Sequence, residues 1–415
     1  MKQRRVVVTG LGALTPIGNT VETFWKNLVK GVSGANKITR FDCCNFKTDF
    51  ACELKDYDVF DHFDRKEGRK LDRYSQYALV STKEAVQNAQ ISFDQLDKDR
   101  CGVIWSSGIG GFETFETQLE DFFKNDKTSK FNPFFIPKIL ADSAAGLISI
   151  KYGFRGVNYC PVSACASSTT ALIEAFNYIK WDKADLVIAG GSEAPITQAS
   201  IAGFNAMKAL STQNDNYQNA SRPFDKDRDG FVAGEGGAAL VVEEMEHAVN
   251  RGTHIYAEIV GGGLSADAYH ITGTHPEGLG ALLSMKHALN EANLKPEGID
   301  YINAHATSTG LGDISEVKAF NTLFNGKFDN VHISATKSMT GHLLGAAGAI
   351  EAVALVKSIE TNEVPPTINS IEKDEQIPED IDLTFGTSVS KTINVGLSNT
   401  FGFGGHNASI VMKKP

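Results

Sequence analysis

Paired cysteines, long apolar runs, low-complexity tracts and a surplus of positive charge are all missing from this chain, and each absence removes a class of protein. The six cysteines (Cys43, Cys44, Cys52, Cys101, Cys160, Cys165) form no C-x-x-C pair, which argues against zinc ribbons and redox dithiols. In a chain of 415 residues they read as reduced thiols of the cytoplasm. No segment reaches the roughly 18 unbroken apolar residues of a membrane span; the best stretch, residues 343–356, carries Glu351 and two glycines. The expectation is a protein that does not cross a bilayer. Without Pro/Ser-rich tracts, flexible tethers and disordered interaction arms are unsupported. Lys plus Arg number 40 against 50 Asp plus Glu, a formal charge of −10, so the molecule as a whole repels nucleic-acid phosphates and anionic lipid. Any acidic partner needs a local basic patch.

What is present fits a packed globular protein, with 42% apolar and 22% charged residues and enough length for a large two-part interior. The N-terminus, Met1-Lys-Gln-Arg-Arg5, resembles the start of a signal peptide, but residues 6–17 are interrupted by Gly10, Gly12 and Pro16 and read as a first strand. Short β-branched runs at 5–9, 101–106, 185–189, 255–260 and 301–304 alternate with helix-length amphipathic stretches, an α/β pattern. Three internal matches follow one order. Ser163-Ala-Cys-Ala-Ser-Ser-Thr169 and Ser334-Ala-Thr-Lys-Ser-Met-Thr340 share four identities in seven at an offset of 171. The glycine turn and strand from Gly234 recur from Gly402 at about 168 residues, and the strand at Val7 recurs at Glu258 after 251. These imply a duplicated α/β unit, with halves 1–252 and 253–415 and no flexible linker.

Two motifs are weighed and set aside. Gly10-x-Gly12 follows a strand, yet Thr15 and Pro16 stand where a dinucleotide fingerprint needs glycine and a helix start. Asp225-x-Asp227-x-Asp229-Gly230 resembles a calcium loop, but its twelfth position is Gly236 instead of Glu. Lys337 and Glu351 flank a glycine-rich stretch and are read either as a structural ion pair or as part of a site. Cys165 lies before a run of small residues followed by Leu172, Phe176 and Ile179 at helical spacing, which places it at a helix N-terminus. There the unpaired amides favour thiolate, and lowering a thiol pKa from about 8.5 by one unit raises the ionised fraction at neutral pH roughly eightfold. Against that stands a small buried hydrophobe. His305, after a strand, and His342, in a glycine-rich turn, tip the balance toward nucleophilic catalysis.

The segments Val6-Val-Val-Thr-Gly-Leu-Gly12, Ser163-Ala-Cys165, Arg222-Pro-Phe-Asp-Lys-Asp-Arg-Asp-Gly230, His305-Ala-Thr-Ser-Thr309, Lys337-Ser-Met-Thr-Gly-His342 and Asn399-Thr-Phe-Gly-Phe-Gly-Gly405 together resemble the β-ketoacyl-acyl-carrier-protein synthases, the type II condensing enzymes of bacterial fatty acid synthesis. The resemblance runs the length of the chain. It implies the thiolase fold, a duplicated five-layer αβαβα arrangement, and a decarboxylative Claisen condensation without organic cofactor or metal. Cys165 would carry the acyl thioester, and the His305 and His342 N–H groups would hold the enolate oxygen. Losing one such preorganised donor costs on the order of 100-fold in rate. The resemblance assigns the tetrahedral oxygen to the amides of Cys165 and Phe401, gating to Phe401, and support to Lys337 with its partner Glu351. Thr307 and Thr309 would bind pantetheine, with Phe403 beside them. Ile109 would shape the acyl pocket and Phe135 the partner subunit's pocket, which implies a homodimer.

The implied partner, acyl carrier protein, is acidic, so cations must gather at the tunnel mouth; Lys66, Arg69, Lys70, Lys130 and Lys208 match docking positions, while Ser129 stands where a basic residue is common. Three positions depart from the family pattern: Ala306 for glycine, Gly310 for proline and His406 for threonine. Two other readings stay open. One is a polyketide or aryl-polyene ketosynthase; the other is a non-catalytic partner subunit like a chain-length factor, against which Cys165 argues.

Overall fold

A computed structural model describes residues 4–128 and 130–415. Residues 1–3, part of the signal-peptide comparison, and Ser129, noted for carrier docking, lie outside the described residues. Strand β1 (Val6–Leu14) is buried along its whole length, as a near-continuous apolar run must be when both sheet faces are covered. Gly10 and Gly12 explain themselves here. A Cβ on either would come within 2.3 Å of the Ala85 carbonyl or 1.9 Å of that of Ser81, so they let a helix lie against the strand instead of cradling a nucleotide.

Nine more strands complete one sheet: β2 (Cys101–Ser106), β3 (Asn158–Tyr159), β4 (Leu186–Glu193), β5 (Gly236–Glu244), β6 (Ala257–Ala266), β7 (Tyr301–Asn303), β8 (His332–Ser334), β9 (Val395–Gly402) and β10 (His406–Lys413). Their order is β8-β7-β9-β10-β6-β1-β5-β4-β2-β3. Read outward from the centre, the two sides are equivalent. Each passes from antiparallel to parallel pairing at the same step, β1-β5-β4-β2-β3 on one side and β6-β10-β9-β7-β8 on the other. The sides meet only where Val6, Val7 and Val8 pair with Ile259, Glu258 and Ala257.

Six helices supply the remaining layers: α1 (Arg73–Asn88), α2 (Ser143–Tyr152), α3 (Ser167–Lys180), α4 (Leu279–Ala292), α5 (Gly310–Phe324) and α6 (Ala347–Thr361). Helices α1 and α2 cover the outside of the first side, α4 and α5 the outside of the second, while α3 and α6 touch strands of both. This is the five-layer αβαβα order. Position dictates composition, because a helix packed between the two sides of the sheet has no wet face; α6 is accordingly buried at every residue from Ala347 to Val356.

The structure corrects one of the three repeats. The β1/β6 and β5/β10 matches join equivalent strands, but residues 334–340 end β8 and enter the one-turn helix Lys337–Thr340. The true counterpart of the turn Ala164–Ala166 is Leu344–Ala346, 180 residues further on. Both turns open on a left-handed non-glycine residue, Ala164 (φ 51°) and Leu344 (φ 47°), and lead into α3 and α6. The shared Ser, Ala and Thr letters reflect turn chemistry, not register. The Asp225 loop is structural: its carboxylate accepts the amides of Asp227 (2.9 Å), Ile371 (2.8 Å) and Glu372 (3.1 Å), and Asp229 accepts the Ser211 hydroxyl (2.6 Å).

Candidate active site

Three chain reversals converge on one cavity of about 480 Å³, lined among others by Cys165, His305, His342, Phe401 and Phe403. Cys165 sits in the tight turn that precedes α3, held open by the left-handed Ala164. The Ser167 hydroxyl donates to the Ala164 carbonyl (2.6 Å) and accepts the Ser163 amide (2.9 Å), so the turn is braced from within. From the other side β9 presses its last residue against it. A Cβ on Gly402 would lie 2.8 Å from the Cys165 nitrogen, and only glycine allows that approach.

His305 follows the core strand β7, and its backbone is fixed by Glu316 on α5: the carboxylate accepts the amides of His305 (2.9 Å) and Ala306 (2.8 Å) and the Asn399 side chain (3.1 Å). His342 is clamped by its amide on the Val232 carbonyl (2.8 Å) and by the Gly234 amide on its own carbonyl (2.9 Å). The two imidazole centroids lie 5.4 Å apart with planes at 86°. Phe401 sits 5.5 Å from His305 and Phe231 5.3 Å from His342. Burial holds both imidazoles well below their ordinary pKa, and the nearby Lys337 ammonium adds to the effect. They are therefore neutral at physiological pH. Each Nδ1 is buried without a partner among the described residues; we assign the proton to Nε2, which leaves a lone pair at the buried nitrogen and an N–H for the cavity.

Lys337 and Glu351, each only 2% exposed, form a buried ion pair. Burial drives the Glu351 carboxyl up and the ammonium draws it back. The pair is thus both structural and part of the electrostatic setting of the histidines.

For the nucleophile the sequence expectation is overturned in sign. The helix does begin beside Cys165, yet burial pushes the thiol up to about 12; the Lys337 charge and the Phe403 amide oppose this, and Glu193 adds to it. The resting side chain is a thiol. The amide facing the sulfur is that of Phe403, beyond the end of β9, whereas Phe401 lies within the strand opposite Asn407.

Thr307 and Thr309 line the cavity with their hydroxyl oxygens 3.1 Å apart, and Ile109 and Lys208 line it too. Phe135 does not. It opens the short helix Phe135–Ile139 and packs on Phe131 (4.9 Å) and Phe115 (6.4 Å) in a separate aromatic cluster. Lys66, Arg69, Lys70 and Lys130 are exposed; the Lys70 ammonium lies 5.3 Å over the Phe134 ring, and Arg69 lines a distinct polar recess with Arg73, Glu113 and Lys138.

Two acids escaped the sequence reading. Glu316 is one. Glu193, at the end of β4, accepts the Ser107 hydroxyl (2.7 Å) and the amides of Gly108 (2.6 Å), Ile109 (3.2 Å) and Gly345 (2.9 Å), tying the acyl-pocket loop to the His342 turn. Burial raises each of these carboxyls to about 7. An acid ending an apolar strand run, Leu186-Val-Ile-Ala-Gly-Gly-Ser-Glu193, was the available signal.

Residues 3–248 match the family described as "Beta-ketoacyl synthase, N-terminal domain" and residues 256–370 its C-terminal counterpart. The chain is 47% identical over 413 residues to 3-oxoacyl-[acyl-carrier-protein] synthase 2 of Staphylococcus aureus (strain COL), covering 100% of this chain and 99% of that protein. It is 45% identical to the protein of the same name from Synechocystis, again over 100% of this chain and 99% of the other. Among solved structures, a type II polyketide ketosynthase in complex with its acyl-carrier protein superposes with a TM-score of 0.92 at 35% identity, covering 100% of both chains. A β-ketoacyl synthase from Burkholderia phymatum superposes equally well, at 32% identity over 99% of this chain and 100% of that one.

Proposed function

The chain belongs to the β-ketoacyl synthase family, and from that premise we propose how its residues form a carbon–carbon bond. It is an elongating condensing enzyme, an acyltransferase that joins acyl and malonyl groups presented on acyl carrier protein into a 3-oxoacyl product two carbons longer. The polyketide and chain-length-factor readings are not favoured, because the curated relatives matching the whole chain are 3-oxoacyl synthases and Cys165 is in place.

In the first step the Cys165 sulfur attacks the carrier thioester. Its proton leaves during the attack and passes to the departing pantetheine sulfur as the old carbon–sulfur bond breaks. In the second, malonyl thioester loses carbon dioxide and the electron pair moves to the thioester oxygen, where the Nε2–H groups of His305 and His342 hold the enolate. The enolate carbon attacks the Cys165 acyl carbonyl, the carbon–sulfur bond breaks, and the sulfur takes a proton from water. The amides of Cys165 and Phe403 hold the tetrahedral oxygen. Phe401 gates the pocket, Ile109 bounds it, and Thr307, Thr309 and Phe403 line the pantetheine path. Lys337 and Glu351 set the charge around the histidines.

The observation that carries this reading is a single cavity where a cysteine at a braced turn meets two buried, neutral imidazoles. Purified protein given acyl- and malonyl-carrier protein releases carbon dioxide and 3-oxoacyl product, with an acyl adduct on Cys165 by intact mass; Cys165→Ala does neither. A wild type that never acquires the adduct refutes the assignment.

Carrier protein docks by Lys66, Arg69, Lys70, Lys130 and Lys208, its acidic surface matched to those exposed ammonium and guanidinium groups. A second copy covers the apolar face made by Phe134, Ile136, Leu140, Ile150 and Val162, exposed by 40% to 80%, beside the open sheet edge β3. This homodimer brings Phe135 to the partner's acyl pocket. The halves divide between residues 252 and 253. All six cysteines are free thiols, which fits a reducing cytoplasm.

A further inference from the structure

The loop that carries Ile109 leaves the sheet without a ladder to hold it. Strand β2 ends at Ser106, and no carbonyl among the described residues takes the amides of Gly108, Ile109 or Gly110. One carboxylate stands in for the ladder. Glu193 accepts the Ser107 hydroxyl (2.7 Å) and the Ile109 amide (3.2 Å) on Oε1, and the amides of Gly108 (2.6 Å) and Gly345 (2.9 Å) on Oε2. The Gly110 amide donates to the same Ser107 hydroxyl (2.9 Å). An ionised carboxylate offers about four lone-pair sites, and here each of them is filled.

The segments so joined differ in freedom. Gly108 and Ile109 line the cavity that holds Cys165, and Ile109 is 36% exposed there. On the other side the turn Leu344–Ala346 runs straight into the buried helix α6, with the Ala346 amide on the Leu343 carbonyl (3.0 Å). Contact between them is close: a Cβ on Gly345 would lie 2.3 Å from the Gly108 nitrogen and 2.5 Å from the carboxylate. The turn is therefore the fixed member and the Ile109 loop the one that can yield. Anchoring by one side chain also differs from a ladder in how it fails. Displacing the Ile109 backbone pulls its neighbours from the same carboxylate and hydroxyl, so the loop opens as a unit.

We infer that Glu193 is a positioning residue that sets the acyl-chain length the site accepts, its carboxylate latching the Ile109 wall of the cavity to the rigid turn after His342. This rests on the condensing-enzyme reading above. A short chain on Cys165 fits beside the latched wall. A long one must push Ile109 back, and the bonds to Glu193 oppose its entry, because amides pulled off a buried acceptor are left unpaired. Glutamine has the same shape but replaces one acceptor oxygen by an N–H donor. Whichever way that amide turns, two of the donors that meet Glu193 lose their acceptor.

The test reads acylation of Cys165 by intact mass from butyryl- and tetradecanoyl-carrier protein, in wild type, Glu193→Gln, Ser107→Ala, Ile109→Ala and Glu193→Gln/Ile109→Ala. Glu193→Gln raises the ratio of the long-chain to the short-chain rate constant by about fivefold to 100-fold, the weight of one or two unmade hydrogen bonds, with the short-chain value within about threefold of wild type. Ser107→Ala, which takes away one donor and the anchor of Gly110, shifts the ratio the same way by less. Ile109→Ala removes the wall, and in that background Glu193→Gln changes the ratio by less than about twofold. A carboxylate that only holds the fold together lowers both rates alike and leaves the ratio where it was. Hydrogen exchange of residues 107–111 in the wild type needs no variant, and decides the matter with Ser107→Ala if Glu193→Gln does not fold. It speeds up when Cys165 carries tetradecanoyl and stays at the free-enzyme rate when it carries butyryl. An unchanged ratio in the Glu193 and Ser107 variants, an equal effect of Glu193→Gln with and without Ile109, or exchange indifferent to chain length overturns the inference. A wild type that acquires no adduct from either carrier protein refutes the functional reading itself, a different outcome that takes this inference with it.

Discussion

Replacing Lys337 by Met removes the cation shared by Glu351 and the two histidines, and its consequences can be worked out in sign and size. Both members of the pair are 2% exposed. Deleting one partner of a buried pair costs about 3–5 kcal/mol, because the other charge is left without compensation. For a chain of 415 residues the entropy of unfolding is about 0.9 kcal/mol/K, so at pH 8 the melting temperature falls by about 3–6 °C. Glu351 can escape the penalty by taking a proton. Burial already drives that carboxyl upward and Lys337 is what draws it back, so in the variant its folded pKa lies further above the unfolded value. A group raised in the folded state stabilises below its unfolded pKa, and that contribution is lost as pH rises through the folded pKa. The deficit therefore shrinks by about 1.4 kcal/mol for each pH unit below the variant's folded pKa, down to the pKa that the carboxyl has beside Lys337. Thermal melts at half-unit steps from pH 5.5 to 8.5 measure this directly, and Lys337→Met/Glu351→Met recovers most of the loss at pH 8. Activity shifts in parallel. Lys337 is the second cause, after burial, that keeps His305 and His342 neutral; without it their pKa values rise, and the acid limb of kcat moves up in pH while staying below about 6.5. A deficit flat across the pH range, or a double variant no more stable than the single one, refutes the reasoning.

Single replacement of His305 or His342 by Ala lowers malonyl decarboxylation by on the order of 100-fold while Cys165 still acquires acyl groups, as stopped assays of carbon dioxide release and intact mass would record; undiminished decarboxylation would remove the enolate role. Alkylation of Cys165 by iodoacetamide in the free enzyme rises about tenfold per pH unit up to pH 9 without levelling, because only the thiolate reacts and the thiol sits near 12. A plateau near neutral pH contradicts the resting-thiol assignment.

The strands were legible in sequence because burial on both faces leaves unbroken β-branched runs, and the duplication was legible wherever strands repeat, as β1 and β6 do. The turn that matters most was not. Cys165 and its counterpart stretch owe their shape to left-handed Ala164 and Leu344, and alanine or leucine in that conformation carries no mark in the sequence, so the match drifted to the Ser and Thr letters at 334–340. Glu193 and Glu316 stayed hidden for a related reason. A carboxylate reads as a surface residue until the amides it collects are known, and those of Gly108, Ile109 and Gly345 come from two loops far apart in the chain.

The ionisation of Cys165 shows how competing magnitudes reverse an inference drawn from one of them. A helix N-terminus contributes about 0.3–1 kcal/mol, and about 2 kcal/mol in a partly buried geometry, equivalent to about 1.5 pKa units at most. Burial of an ionisable group moves it by up to about 3–5 units, and a carboxyl such as Glu193 adds in the same direction. The larger effect wins, so the sulfur rests neutral despite the helix. The same burial keeps both imidazoles uncharged. Lowering the polarity of the cavity therefore weakens the resting nucleophile while it keeps the histidines as neutral N–H donors. An acyl chain that fills the cavity and displaces water strengthens that donation, because hydrogen bonds to a developing enolate gain most where the surroundings compete least.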